Sequence, residues 1–490
     1  MKDIIIIYDD SRKPNQEIRS ITGEKTFGDT IFKRVTLKER MKQELLRFSH
    51  IRSFMTYQKA ENFNNVSLSA VAAGNTCSVL HLFSDCGLRN REALKVLLEK
   101  AGFINENFVA MCDDKIALAM FADVSAYLDF LNRNVLSGEQ ETVSDALETV
   151  QFEKISTEAF VDLSNINHFR QFITGGFDAR FFNVLAGDEF TVTKQSENKK
   201  KIKREFEYYY LLPENMKMWY VMPFHYVEDE QKASYMMERY HMTDIAIRYV
   251  HGAITQDEFR DILDKLFYFL KNRKEKEVPH EIYAENANEL YLKKVENRIE
   301  QLKQSKSFEK LNRMIQTGTE FEGMDDIIIW YRKIYDAIVS KKSFRNVLVV
   351  GHGDLCFSNI LYSREASLLK LIDPRGALSE EELYMNPYYD MAKLSHSICG
   401  YYDFFNSDLF EISLEDGLQY KLTVLGEADN AVYRNIFMEY LEQYGVDYAL
   451  IRLYEASLFL SMLPLHIDRE KKVFGFILNA IRILKEIEPK

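Results

Sequence analysis

At 490 residues the chain is too long for one ordinary core, so two or three domains are expected. With 46% hydrophobic and 28% charged residues it reads as a globular protein, and a net charge of −12 argues against non-specific nucleic-acid binding while mildly steering a cationic small substrate. Cys77, Cys86, Cys112, Cys356 and Cys399 are an odd number without paired spacing, which fits reduced thiols better than a disulfide framework or a zinc site.

The apolar run Ile4 to Tyr8 is too short for a signal peptide, and no stretch approaches a membrane span. A cytoplasmic protein without membrane insertion is expected. Residues 1–150 read as an α/β, Rossmann-like domain. Ile4–Tyr8 and Val79–Phe83 are strand-like, Arg91–Ala101 has helical apolar spacing with Gly102 as its stop, Phe108–Met111 is a further strand, and Ala117–Asn132 is helical. Asp85, at the end of the second strand, is a ligand candidate, although such an Asp more often caps the following loop. The polar segment Ser137–Ser144 reads as a linker.

Residues 151–252 form the next expected unit. Phe172–Leu185 alternates and carries Gly175 and Gly176; a glycine turn between strands lets backbone amides approach phosphates. Phe190–Thr193 is a strand leading to Lys194, eighteen residues after Gly176, and a strand-borne lysine there can reach α and β phosphates. The cluster Lys199–Arg204 is read as a solvated helix start rather than a nucleic-acid patch, because it runs into an apolar-periodic segment. Met218–Pro223 and Ser234–Tyr240 read as strands.

Residues 253–490 read as mainly helical, with a charged helical insert over Thr255–Ala337 and further helices at Val432–Tyr444 and Ala449–Met462. Between them lies the most informative stretch, His352-Gly-Asp-Leu-Cys-Phe-Ser-Asn359, flanked by the apolar runs Asn346–Val350 and Leu368–Ile372, the second ending in Asp373-Pro-Arg-Gly376. Two short strands in a hairpin-like arrangement bring Asn359 and Asp373 towards one end. Phosphoryl transfer asks a protein to position a nucleophile and to neutralise phosphate charge. Asp354 is the candidate base for an attacking hydroxyl, and Asn359 and Asp373 are the candidate ligands of magnesium under the phosphates of ATP.

These residues resemble the aminoglycoside phosphotransferase and choline kinase superfamily, whose members use His-Gly-Asp where protein kinases use His-Arg-Asp. The resemblance covers roughly residues 165–490 and implies an α+β, protein-kinase-like bilobal fold, here with an additional N-terminal α/β domain. It implies that Asp354 is the catalytic base, that Asn359 and Asp373 bind magnesium, and that His352 supports the loop. By the same resemblance Glu205, in a helix that ends in Leu212-Pro213, partners Lys194, and Met237, Glu238 and Arg239 lie at the hinge that meets adenine. Asp390, in Asn386-Pro-Tyr-Tyr-Asp390, braces the catalytic loop. His396 reads as a packed core histidine.

The expected activity is therefore that of an ATP- and magnesium-dependent kinase with a small-molecule hydroxyl acceptor. A sugar or sugar-like alcohol comes first, because an α/β domain fused to such a kinase is similar to bacterial surface-carbohydrate (capsule and polysaccharide) enzymes. Choline or another amino alcohol follows, with Tyr401–Phe405 as faces and charge for a cationic head, and then an aminoglycoside. A reading of another class is a kinase-like nucleotide-binding scaffold without turnover. The acceptor, the role of residues 1–150, the choice between ATP and GTP, and the oligomeric state, a homo-oligomer included, stay open.

Overall fold

The computed structural model describes residues 2–32, 34–58, 77–103, 105–135, 142–174, 184–187, 190–415 and 417–489. The chain divides into two compact units, Met1–Ala179 and Arg180–Lys490.

The first unit is built on a sheet of β1 (Asp3–Asp9), β2 (Ile51–Tyr57), β3 (Cys77–Phe83), β4 (Phe108–Cys112), β5 (Lys115–Phe121) and β6 (Glu153–Ser156), in the order β2-β1-β3-β5-β4-β6. β1 runs parallel to both neighbours, with Ile6 opposite Leu80. The unbroken Ile4–Ile7 run suits a strand covered on both faces. Ile4 and Ile6 join a core with Leu94, Leu97 and Leu98 of helix α1 (Arg91–Ala101), while Ile5 and Ile7 join Tyr127, Phe130 and Leu131 of α2 (Val124–Asn134). The sheet is mixed rather than Rossmann-like, because β5 lies antiparallel to both β3 and β4. The expected helix over Ala117–Asn132 is thus a buried strand followed by a helix; a short continuous apolar run does not distinguish the two.

The expected boundary at residue 150 is displaced. β6 pairs with β4, and Phe160–Asp162 pairs antiparallel with Cys86–Leu88, so the first unit extends past both. The expected linker fails for the same reason where it can be followed. Residues 137–141 lie outside the described residues, but Thr142 caps a helix, Val143–Thr149, whose Val143, Ala146 and Leu147 are core residues. Asp85 is ion-paired to Arg12 at 2.9 Å and to Lys115 at 2.5 Å, beside a cavity of about 680 Å3.

The second unit opens with an antiparallel sheet of β7 (Val184–Gly187), β8 (Thr191–Ser196), β9 (Pro223–Glu228) and β10 (Ala233–Glu238), ordered β7-β8-β10-β9. Helix α3 (Lys199–Leu211) is capped by Asn198 and packs Ile202 and Phe206 against Ala233, Tyr235 and Met237. The strand expected over Met218–Pro223 begins only at Pro223; a short helix, Glu214–Lys217, intervenes, and Tyr220 bridges to Leu371 instead.

The remainder is a helical lobe with one large core, including α4 (Gln256–Lys271), α5 (Lys294–Lys303), α6 (Tyr389–Ile398), α7 (Tyr448–Met462) and α8 (Glu470–Ile487). The two apolar runs around the His-Gly-Asp motif do not pair with each other. β11 (Val347–Val350) pairs with the charged strand Glu275–Glu277 and with Tyr384–Met385. β12 (Ile360–Ser363) and β13 (Leu368–Leu371) form the hairpin, with Ile360 opposite Leu371. Among the described residues one stretch, Tyr448–His466, is long and apolar enough to cross a membrane, contrary to the expectation that none approaches a span; 78% of its 18-residue apolar window is buried inside the protein. The five cysteines are free and buried.

Candidate active site

The β12–β13 hairpin gathers the expected metal ligands without needing β11. Asn359 immediately precedes β12, and its carbonyl accepts from the Ile372 amide at 3.0 Å, so Asn359 and Asp373 flank the open end of one hairpin. The Asn359 amide nitrogen donates to the Asp354 carbonyl at 2.8 Å and to Asp354 Oδ2 at 3.1 Å. That leaves the amide oxygen as the atom for a cation. Asp373 takes a left-handed backbone, φ +56°, a conformation tolerated by Asp.

Lys194 on β8 is almost wholly buried, and its ammonium lies 2.7 Å from Glu205 on α3 and 2.7 Å from Asp373 Oδ1. Burial alone would discharge the lysine, but Asp373 and Glu205 hold it above its ordinary value, so it is charged at neutral pH. Glu207, two positions along α3, takes no part in this ion pair, as helical geometry requires. The Lys199–Arg204 cluster is the start of α3, and Arg204 has a structural use the sequence did not disclose. Its guanidinium donates to the Gly376 carbonyl at 3.0 Å and pairs with Glu382 at 2.7 Å, while its own carbonyl accepts from Ala377. Gly376 has φ +78°, and a Cβ there would stand 2.7 Å from the Arg204 backbone. These contacts dock α3 onto the segment after Asp373.

The catalytic-loop candidates form a second braced group. His352 is buried; its Nδ1 accepts from the Asp354 amide at 3.2 Å, so Nε2 carries the proton and donates to the Ile372 carbonyl at 2.9 Å. Burial holds the imidazole below its ordinary pKa, hence neutral. Asp390 on α6 accepts from the amides of His352 at 3.0 Å and Gly353 at 2.8 Å, and pairs with Arg273 at 3.0 Å. It braces the loop and does not face solvent.

Asp354 is the half-buried member, with 44% of its side chain open, and its Oδ1 lies 2.8 Å from Lys393 Nζ. Burial opposes ionisation here, yet Lys393 outweighs it and holds the carboxyl below the usual range. Lys393 was not singled out from the sequence. The signal was its position three residues after Asp390, which places both on the loop-facing side of α6.

The other expectations divide. Met237 faces α3, Glu238 is exposed, and the Arg239 amide is committed to the Phe190 carbonyl at 2.8 Å. Gly175 and Gly176 lie outside the described residues. His396 is fully buried and stacked on Tyr402 at 4.2 Å, as a core histidine. Tyr401, Asp403, Phe404 and Phe405 are buried, and the half-buried Tyr402 is taken up by His396 and Lys472, so this cluster is packed as core. Among the described residues no group of three or more His, Cys, Asp or Glu side chains forms a metal cluster; magnesium bound to phosphate needs only one or two protein ligands.

No family model matches the chain, and no curated protein matches it in sequence. Among solved structures it is similar to a thermostable mutant of aminoglycoside phosphotransferase APH(4)-Ia in its apo form, at 10% identity and a TM-score of 0.37, over 63% of this chain and 94% of that chain. A putative fructosamine-3-kinase from Haemophilus somnus has 12% identity and a TM-score of 0.34, over 65% and 96% of the two chains. A putative nucleotide-diphospho-sugar transferase from Desulfovibrio desulfuricans has 12% identity and a TM-score of 0.26, over 37% of this chain and 90% of that chain. Likenesses of this strength leave the functional reading to the geometry of the site.

Proposed function

We propose that the chain is an ATP- and magnesium-dependent kinase that transfers a γ-phosphoryl group to a hydroxyl of a small metabolite, in the first instance a sugar or sugar-like alcohol. One observation carries this reading. The buried Lys194–Glu205 pair meets Asp373 at one end of the β12–β13 hairpin, and Asn359, at the same end, is hydrogen-bonded to the half-buried carboxylate of Asp354. On this reading Lys194 serves as the phosphate-binding cation, Asn359 and Asp373 as the oxygen ligands, and Asp354, paired with Lys393, as the base.

The residues fit a hard divalent cation, because the Asn359 amide oxygen and the Asp373 carboxylate are oxygen donors that flank the open end of one hairpin. Magnesium bound there would supply charge neutralisation of the phosphates. Lys194 binds and orients the phosphate chain, with Glu205 holding its ammonium in place. Asp354 accepts the acceptor's hydroxyl as a hydrogen-bond donor and takes its proton late, as the new O–P bond forms and the bond from the γ-phosphorus to the bridging oxygen breaks, releasing ADP. His352, Asp390 and Arg273 hold the loop so that the Asp354 carboxylate stays aimed. Because Arg204 ties α3 to the segment after Asp373, the Lys194–Glu205 pair stands without any modification of the loop.

The test is transfer from radiolabelled ATP by the full chain, with magnesium, to a panel of sugars, amino alcohols and aminoglycosides. Label in a sugar product supports the reading. Tight magnesium-ATP binding with no transfer to any acceptor and no slow hydrolysis points to a binding scaffold instead.

A further inference from the structure

Three cations gather around Tyr389 on α6, and one of them pairs with Asp354. Lys393 on α6 pairs with its carboxylate at 2.8 Å. Lys294, at the start of α5, donates to the Tyr389 hydroxyl at 2.8 Å and lies 5.2 Å from the centre of that ring. Arg375 follows the Asp373-Pro turn; its amide donates to the His352 carbonyl at 2.9 Å, its Cβ presses on Gly353, and its side chain is exposed. The three come from separate elements of the helical lobe and act on the same phenol. Burial would raise the Tyr389 pKa, but Lys294, Lys393 and Arg375 together hold it below the ordinary value, which marks a local positive field.

The carboxylates around this group are already committed. Asp354 is paired with Lys393, Asp373 with Lys194, Asp390 with Arg273, and Glu296 with Arg332. Among the described residues neither Lys294 nor Arg375 has a carboxylate partner. Two cations without a carboxylate partner, acting on Tyr389 one helical turn before the Lys393 that pairs with Asp354, form in a chain of net charge −12 a local electrostatic funnel for an anion. A cationic acceptor would meet repulsion there, the opposite of what the overall charge implies.

We propose that the acceptor is an anion, a hydroxylated small molecule bearing a carboxylate or a phosphate, and that Lys294 and Arg375 grip that group while Asp354 addresses the hydroxyl. This rests on the kinase reading and narrows its substrate. Lys393 stands between the two functions. Its ammonium is within reach of Asp354 and therefore of whatever the carboxylate holds.

Calorimetry on the full chain, with magnesium-ADP present, tests it with glucose, glucuronate, glucose 6-phosphate, choline and kanamycin as probes. Glucuronate or glucose 6-phosphate should bind at least tenfold more tightly than glucose, and the stronger of the two identifies the anionic group. Lys294→Met and Arg375→Met should collapse that ratio towards one, while Lys294→Arg should keep most of it. Circular dichroism and the unfolding temperature show whether each variant is folded, and the arginine variant tests the charge even if a methionine variant is lost. The proposal is overturned if no anionic probe binds, if choline or kanamycin binds best, or if the ratio survives in both methionine variants. It is also overturned if the anionic probes displace ADP, because the cations would then serve the nucleotide. Failure of magnesium-ADP itself to bind would instead count against the kinase reading, so the two failures are separable.

Discussion

Arg273 shows how much of the site depends on a residue that never meets substrate. Its side chain is 2% exposed and that of Asp390 is 0% exposed, and its Nη2 and Nε also serve the carbonyls of Pro387 at 2.9 Å and Leu270 at 3.0 Å. Arg273→Met removes one charge of a buried pair and strands the other, which costs roughly 3–5 kcal/mol. Unfolding entropy is about 2.1 cal/mol/K per residue, so a unit of roughly 310 residues unfolds with about 0.65 kcal/mol/K, and the loss becomes a fall of about 5–8 °C in its midpoint. Calorimetry of the full chain reads this, taking as the relevant transition the one that magnesium-ATP moves upward. Because Asp390 also accepts from the amides of His352 and Gly353, turnover should fall with stability; a displacement of about 1 Å in a catalytic group can cost a hundredfold. The double variant Arg273→Met with Asp390→Asn should recover part of the stability, with a coupling of about 1–3 kcal/mol. A midpoint within about 2 °C of the parent protein, with unchanged turnover, refutes the account of the brace.

Asp373→Ala should raise the magnesium concentration needed for nucleotide binding along with the loss of turnover, whereas Asn359→Ala, which removes an uncharged ligand, should do so more mildly; titration of activity against magnesium compares them. Gly376→Ala forces a side chain into a φ of +78° and against the Arg204 backbone, so α3 should shift and the KM for ATP rise several-fold, read by steady-state kinetics. Asp403 is 2% exposed, and burial pushes its pKa up to about 7. A raised carboxyl contributes stability below its unfolded value, and that stability is lost as pH climbs towards 7, so the midpoint should decline over this range and Asp403→Asn should flatten part of the slope. Melting curves between pH 5 and pH 8 distinguish a flattened profile from an unaltered one.

What the sequence disclosed depended on whether the signal was local. The spacing of Asp354 and Asn359 lies in one loop, and Asp373 ends the next strand, so pattern alone brought them together. Glu205 was matched to Lys194 by the family resemblance, and helical spacing set Glu207 aside on another face. By contrast, Arg273 and Arg204 act across long sequence separations, and nothing near them marks a partner. The strand Glu275–Glu277 is wholly charged and β6 is largely exposed, so neither carries an alternating apolar pattern; missing β6 misplaced the domain boundary. The run Ile116–Phe121 was apolar throughout, and only its pairing with β3 and β4 separates strand from helix there.

Asp354→Asn tests the central claim most directly. The substitution keeps the shape and the contact to Asn359 but removes the proton acceptor, and the proposed mechanism assigns this carboxylate to the acceptor rather than the nucleotide. With an acceptor found by the radiolabel screen, calorimetry should give a magnesium-ATP affinity within about threefold of the parent protein, while transfer of the γ-phosphoryl group falls by roughly a hundredfold or more. Near-normal transfer by the folded variant would contradict the account and remove Asp354 from the chemistry.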